Sequence, residues 1–453
     1  MRVRSAVLWL GAILAILAAA ECRPASSPPR NLIVISIDTL RADALGCYGN
    51  ERETSPGIDR IAANGVLFED ASATSPWTKP SHASLLTGLY PRRHGARSME
   101  AVMATDAVHL ASWLAERGFQ TAAVVNSRYL TSHGLENGFI DFTSIDYIQG
   151  QRHGSPVTGA AIDWLKNRDA TRRFFLLVHY MDVHSDYASL AEYEQRFVEP
   201  YDGPFTGSTR ELYRVAEGDL RPDPSDIRHL RNLYDAGVRQ IDDRIEQLLG
   251  FLKGEGLLED SLLVITSDHG EEFMEHGGVL HGFSQHQEVI RIPLIFHGPG
   301  IPEDVRVSTP ASLVDVLSTS LTALDVESPD DVDGAPLQET WSRDGTVADR
   351  FLYAEADISF PPPGRGAAPL GPHRAVRNDR YRLHYQTDTQ TTRLFDLAND
   401  PGEQIDVAAQ FPGITETLRD RLLMWLDASI TTPERALTDE ELDRLRSLGY
   451  VGQ

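Results

Sequence analysis

The chain has 453 residues, with 42 Lys and Arg against 66 Asp and Glu, and a formal net charge of −24. A hydrophobic fraction of 41 % supports a large buried core and excludes a disordered chain. The acidic balance excludes a binder of nucleic-acid backbones, and two cysteines, Cys22 and Cys47, exclude a disulfide framework or a Cys-rich zinc site.

The N-terminus reads as a leader. Arg2 and Arg4 precede an apolar run from Ala6 to Ala20 that ends in three alanines, so residues 1–20 are expected to be a secretory signal peptide. That run is short for a transmembrane helix, although an uncleaved anchor is the alternative. The protein is therefore expected to be exported, to the periplasm or beyond. A lipoprotein tether through Cys22 is a further reading, although Glu21 stands where the usual lipidation pattern has a small residue. Residues 21–30 contain the Pro/Ser-rich stretch RPASSPPR and read as a linker.

Residues 31–345 alternate strand and helix patterns. Asn31–Ile37 is a short, β-branched apolar run that reads as a buried strand ending in Asp38. Gln120–Val125, Phe174–Tyr180, Leu262–Thr266 and Pro293–Phe296 read the same way. Helical patterns lie at Pro56–Ala63, Leu110–Glu116 and Ile227–Leu252. Such alternation predicts an α/β fold, a doubly wound and mostly parallel sheet covered on both faces. From residue 346 the pattern changes to short strands, a Pro/Gly-rich loop at Phe360–Pro372, a helix at Gly413–Leu426 and a capping box at Thr438–Glu441. Residues 346–453 are expected to form a smaller α+β subdomain with a terminal helix.

Several polar residues sit just past predicted strands: Asp38, His184, and the pair Asp268-His269. Ligands of open α/β sheets bind beyond the carboxyl ends of strands, so residues distant in sequence meet there. Two carboxylates and an imidazole suit a divalent metal. Thr78 precedes Pro80 at the expected start of a short apolar helix. Free N–H groups there favour an anion, and a Thr hydroxyl becomes a nucleophile when a metal or base lowers its pKa. Read alone, Thr78 is equally a helix cap. His179 reads as a satisfied core residue or one that supports the ligands, and His94 as a surface or supporting residue. His276 is a candidate for orienting a catalytic group, and Arg41 for pairing with a carboxylate.

Six segments together resemble the sulfatase family of the alkaline phosphatase superfamily. They are Asn31–Gly49 (NLIVISIDTLRADALGCYG), Trp77–Gly95 (WTKPSHASLLTGLYPRRHG), Phe174–Tyr187 (FFLLVHYMDVHSDY), Ser267–Gly282 (SDHGEEFMEHGGVLHG), Leu394–Gln404 (LFDLANDPGEQ) and Leu437–Gly449 (LTDEELDRLRSLG). The resemblance implies an alkaline phosphatase-like fold and one divalent metal held by Asp38, Thr78, Asp268 and His269. It places Thr78 as nucleophile, His184 and His281 as acid–base residues, and His82 and Asn126 as substrate-binding residues; Lys79, beside Thr78, is a further candidate for holding the anion, or is simply solvated.

Departures from the family pattern sharpen the expected chemistry. Family sulfatases carry a Cys or Ser that is converted to formylglycine, whereas Thr78 bears a methyl group on that carbon and no formylglycine is expected. His82 replaces a usual Arg, Thr39 a usual Asp, and His281 a usual Lys. A Thr, an Asn and an Asp-His pair look more like phosphonate monoester hydrolases and phosphoglycerol transferases. The expected activity is metal-dependent hydrolysis of sulfate, phosphate or phosphonate esters. Transfer to an acceptor alcohol and non-catalytic binding are the alternatives. Imidazole beside oxygen ligands suits Mn²⁺; Ca²⁺ occurs in relatives, and Zn²⁺ is also compatible. The expected partner is a small anionic ester, glycan- or lipid-linked, with no nucleic acid. The window Ala71–Met99 holds Thr78, contains no acid, and carries Lys79, Arg92, Arg93 and Arg97. It is expected to set a local positive field for an anion.

Overall fold

The run Asn31–Ile37 forms β1, buried along its whole length, as its unbroken apolar sequence requires of a central parallel strand. The computed structural model describes residues 27–131, 133–145, 154–341, 350–357 and 372–427. The expected signal peptide, Cys22, most of the linker, the loop at 360–371 and the capping box at 438–441 lie outside the described residues. No helix among the described residues is long and apolar enough to cross a membrane.

Seven further strands complete the main sheet: Val66–Phe68 (β2), Gln120–Val125 (β3), Asp141–Ser144 (β4), Phe174–Tyr180 (β5), Ser261–Ser267 (β6), Leu294–His297 (β7) and Val305–Val307 (β8). Their order is β8-β2-β7-β6-β1-β5-β3-β4. The strands from β6 to β4 run parallel. β7 is antiparallel to both of its neighbours.

Register then fixes the site. Ile37 pairs with Tyr180 on one side and with Ser267 on the other, so Asp38 and Asp268 leave the sheet at the same level. Side chains alternate along β1. Ile33, Ile35 and Ile37 pack in the layer of the long helix Pro224–Gly254, while Leu32 and Val34 pack in the layer of Ala83, Leu85 and Leu86. Replacing a fully buried member such as Ile35 by Ala would cost about 2–5 kcal/mol.

The helix Thr78–Thr87 (α1) is buried on every side and ends at Gly88, whose φ of 68° gives the left-handed cap that glycine adopts without strain. The helix Pro224–Gly254 (α2) starts at a capping box between Asp223 and Asp226, three residues before the expected start.

Towards the C-terminus, Leu352–Ala356 (β9), His373–Arg377 (β10), Tyr381–Gln386 (β11) and Thr391–Asp396 (β12) form an antiparallel sheet in chain order. The helix Pro412–Asp427 (α3) contributes Leu418 and Leu422 to the same core as Val376, Leu383 and Leu394. Tyr90 and Val314 join that core from the first unit. Arg377 binds Asp70 through both carboxylate oxygens, at 2.7 and 2.6 Å, so the two units share an ion pair as well as apolar surface.

Candidate active site

Asp38, Thr78, Asp268 and His269 converge at the carboxyl edge of β1 and β6. Thr78 is the first helical residue of α1, not its cap: Trp77 holds the capping position and no side chain caps the helix. The Thr78 hydroxyl instead lies 3.4 Å from Asp38 Oδ2 and 3.5 Å from His269 Nε2. His269 Nε2 lies 3.7 Å from Asp38 Oδ1 and 3.4 Å from Asp268 Oδ2.

The proton on His269 follows from its other nitrogen. Nδ1 lies 3.0 Å from the Gly270 carbonyl oxygen, which only accepts, so Nδ1 carries a hydrogen and Nε2 is the nitrogen whose lone pair can bind a metal. That lone pair faces two carboxylates in a buried site, and Asp38 Oδ1 and Asp268 Oδ2 have no hydrogen-bond partner among the described residues. Acceptors turned towards one another are costly unless a cation sits between them. Four atoms about 2.1 Å from a tetrahedral ion stand about 3.4 Å apart, close to the separations found here. The residues therefore fit a divalent metal, with the His269 ring oriented by its backbone bond.

The backbone around the site is strained for this purpose. Thr39 has φ of 56°, an unfavourable value for a β-branched residue. Its N–H donates to Asp268 Oδ1 at 3.2 Å, and its carbonyl accepts from the Tyr234 hydroxyl at 2.8 Å. Where many family members place another acid, this chain thus uses the backbone of Thr39 to hold Asp268 in place.

His184 and His281 are brought to the same place. The His281 ring centroid lies 4.5 Å from that of His269 and 4.9 Å from that of His184. His281 Nδ1 donates to Glu271 Oε1 at 2.9 Å. Burial opposes its protonation, but the charge and hydrogen bond of Glu271 prevail, with Asp38 and Asp268 adding to them, and its pKa is raised. His184 Nδ1 donates to the Ser185 carbonyl at 2.7 Å. Asn126 follows β3 at the same sheet edge, and its Oδ1 is buried with no hydrogen-bond partner among the described residues.

Two expected substrate-binding residues are engaged elsewhere. Lys79 is turned away from the nucleophile, and its ammonium donates to the carbonyls of Ser98, Met99 and Ala101 at 3.0, 2.9 and 2.6 Å. His82 lies beneath Thr78, fully buried, with Nδ1 donating to the Thr78 carbonyl and Nε2 accepting from Ser36, each at 2.9 Å. Burial lowers its pKa to about 4, keeping it neutral, although Asp268 opposes this.

The basic window does not set the expected field. Arg93 pairs with Asp331 and with Asp333, and Arg97 pairs with Asp357 at 2.5 Å. The Arg92 guanidinium covers the Trp425 ring at 4.8 Å. These cations fasten the window to distant acids and an aromatic ring.

The other histidines are buried or paired within the fold. His179 is fully buried, yet neither ring nitrogen has a hydrogen-bond partner among the described residues, and Nε2 lies 3.3 Å from Asp38 Oδ2. His94 is fully buried, accepting from the Ala96 N–H at 3.1 Å, and burial lowers its pKa to about 3. His276 bonds Glu288 at 2.6 Å and stacks on His286 with centroids 3.5 Å apart, away from the site. His286, His384 and Glu403 form another donor set, but Arg382 lies 3.1 Å from Glu403 and Arg393 lies 3.3 Å from His286, which is unfavourable for a second cation. Arg41 pairs with Asp43 at 2.7 Å and Glu275 at 2.6 Å. Sequence reading missed Glu271 as a partner of His281, because the pairing depends on a hairpin of two-residue strands.

The sheet, with the donor set at its carboxyl edge, has an alkaline phosphatase-like fold, and the family profile that matches it is one of enzymes that act on ester bonds. The profile of the family described as Sulfatase matches residues 30–326, and the chain belongs to the sulfatase family. A profile described as N-sulphoglucosamine sulphohydrolase, C-terminal, matches residues 275–427. Family members generally use a divalent metal, in keeping with the donor set. Among similar proteins is the N-acetylglucosamine-6-O-sulfatase of Bacteroides thetaiotaomicron, 23 % identical, with 83 % of this chain and 82 % of the relative covered. A protein solved in complex with its substrate D-glucosamine-2-N,6-O-disulfate aligns with TM-score 0.72 and 21 % identity, over 88 % of this chain and 97 % of the other. The phosphonate monoester hydrolase of Agrobacterium radiobacter aligns with TM-score 0.71 and 20 % identity, over 88 % and 95 %.

Proposed function

We propose that this chain is an exported, metal-dependent hydrolase of anionic sulfate, phosphate or phosphonate esters that uses Thr78 directly as its nucleophile. The observation carrying this reading is the Thr78 hydroxyl at 3.4 Å from Asp38 Oδ2 and 3.5 Å from His269 Nε2. Asp38, Asp268, His269 and Thr78 would hold the metal, which when bound lowers the pKa of a hydroxyl and offsets charge on the ester. Thr78 Oγ, having given up its hydroxyl proton to solvent before the ester binds and leaving again as the alkoxide at the end of the cycle, attacks phosphorus or sulfur in line. The bond to the leaving oxygen breaks, and that oxygen keeps the electron pair and takes a proton from His281, with His184 beside it. Water subsequently releases Thr78 by the reverse sense of the same attack.

A Thr ester has no second hydroxyl on its carbon through which to eliminate the bound group. Release therefore requires a second attack at the central atom, which favours phosphorus esters over sulfate. The likeness to a phosphonate monoester hydrolase supports that preference, and the glucosamine disulfate bound by another structural neighbour supports a sugar-linked ester. Export rests on the leader at residues 1–20, and cell fractionation tests it: recovery outside the cytoplasmic fraction supports export, and recovery only in the cytoplasm contradicts it. Matched aryl sulfate, phosphate, phosphodiester and phosphonate esters, each assayed with Mn²⁺ and with Ca²⁺, test the chemistry. Dominant sulfate turnover would contradict the argument from Thr78.

A further inference from the structure

Glu271 lies two residues beyond His269, at the mouth of a hairpin formed by Glu272–Phe273 and Val279–Leu280. The hairpin register pairs Glu272 with Leu280 and Phe273 with Val279, so its next step sets Glu271 opposite His281. Leu280 has φ of 69° and Gly282 has φ of 88°, so the backbone turns on both sides of His281. Glu271 is fully shielded from solvent; Oε1 accepts from His281 Nδ1 at 2.9 Å, and Oε2 has no hydrogen-bond partner among the described residues. Arg41 holds the backbone from outside by donating to the Glu271 carbonyl at 2.8 Å.

We infer that Glu271 is the positioning residue of His281, the hairpin-built pair fixing the imidazole so that Nε2 delivers the proton to the leaving oxygen. A buried carboxylate that only accepts holds the proton on Nδ1, which leaves Nε2 as the nitrogen available for exchange. The ring is wedged between His269 and His184, so rotation about its side chain would break both contacts and the bond to Glu271. At bond cleavage the leaving oxygen takes the electron pair of its bond to phosphorus or sulfur together with the Nε2 proton. His281 becomes neutral and keeps Nδ1–H on Glu271. The water that releases Thr78 returns a proton to Nε2. This role rests on the hydrolase reading above, whereas the Glu271–His281 pairing is open to a test of its own.

The test uses the full chain with ¹⁵N-labelled histidine, loaded with Ca²⁺, and compares Glu271→Gln, Glu271→Ala and His281→Gln. A hydrogen-bonded Nδ1 proton resonance is expected in the wild type, lost in His281→Gln and in Glu271→Ala. Its persistence in Glu271→Ala overturns the pairing, whether or not any ester is turned over. On phosphonate monoesters, Glu271→Gln is expected to lower kcat about a hundredfold with an alkyl leaving group, which needs the proton. With a 4-nitrophenyl leaving group, which departs without it, the change should stay within about threefold. KM and Ca²⁺ affinity, the latter measured by calorimetry, should hold within the same range as wild type. Equal losses of kcat on both esters would overturn the positioning role.

Discussion

His269 Nε2, the ring nitrogen not engaged by the Gly270 carbonyl, faces Asp268 Oδ2 at 3.4 Å, inside a site closed to solvent. Asp38 and Asp268 converge on the same nitrogen and repel one another unless a cation sits between them; with one they become edges of a coordination shell. Two opposite signs follow for Asp268→Asn. With Mn²⁺ present the variant should bind the ion at least about a hundredfold more weakly by calorimetric titration. In chelator it should melt above the wild type, because one of two buried charges is gone. A variant that melts lower than wild type in chelator would contradict the repulsion.

Metal should also stabilise the wild type by mass action. Saturating Mn²⁺ at a hundred times its dissociation constant adds about 2.7 kcal/mol, seen as a rise in melting temperature that chelator reverses. An unchanged melting temperature would count against the donor set.

Lys79 separates the two readings of the segment beside Thr78. Its ammonium binds three carbonyls of the 98–101 loop. Lys79→Met keeps the aliphatic stem and leaves those carbonyls without the donor, so it should cost about 2–4 kcal/mol in denaturant unfolding. KM for an anionic ester should hold. A large rise in KM at unchanged stability would restore Lys79 to substrate binding.

Much of the site is legible in the sequence because it sits at element ends. Asp38, Asp268 and His269 follow strands of unbroken apolar character, and parallel register alone brings them level. The failures have a common cause in side-chain direction. Lys79 is one step of about 100° round the helix from Thr78, enough to turn it away from the nucleophile. His82 shares the face of Thr78 four residues on, but its ring reaches back to the Thr78 carbonyl. His179 lies on a strand buried on both faces, where alternation of polarity carries no signal. The positive field expected of Ala71–Met99 fails because Arg93 and Arg97 find acids more than two hundred residues away, at Asp331, Asp333 and Asp357.

His276 makes a prediction about pH. Burial disfavours its charged form, but the hydrogen bond and charge of Glu288, with the carbonyl and charge of Glu403, raise its pKa from 6.5 to about 9. A raised pKa in the folded state means that the stabilisation is complete below pH 6.5 and is lost as pH rises through about 9. Melting temperature should therefore fall more steeply across that window in the wild type than in His276→Gln. Equal slopes would show that the imidazolium does not bridge the two units.

The central claim is that Thr78 itself forms the covalent bond. The most direct measurement is rapid acid quenching of the Mn²⁺-loaded enzyme during turnover of an aryl phosphonate monoester, followed by peptide mapping by mass spectrometry. The account predicts a phosphonyl group on Thr78, absent in Thr78→Ala, whose kcat falls at least about a thousandfold. Unmodified Thr78 during full turnover, or a Thr78→Ala variant that retains wild-type rates, would contradict it.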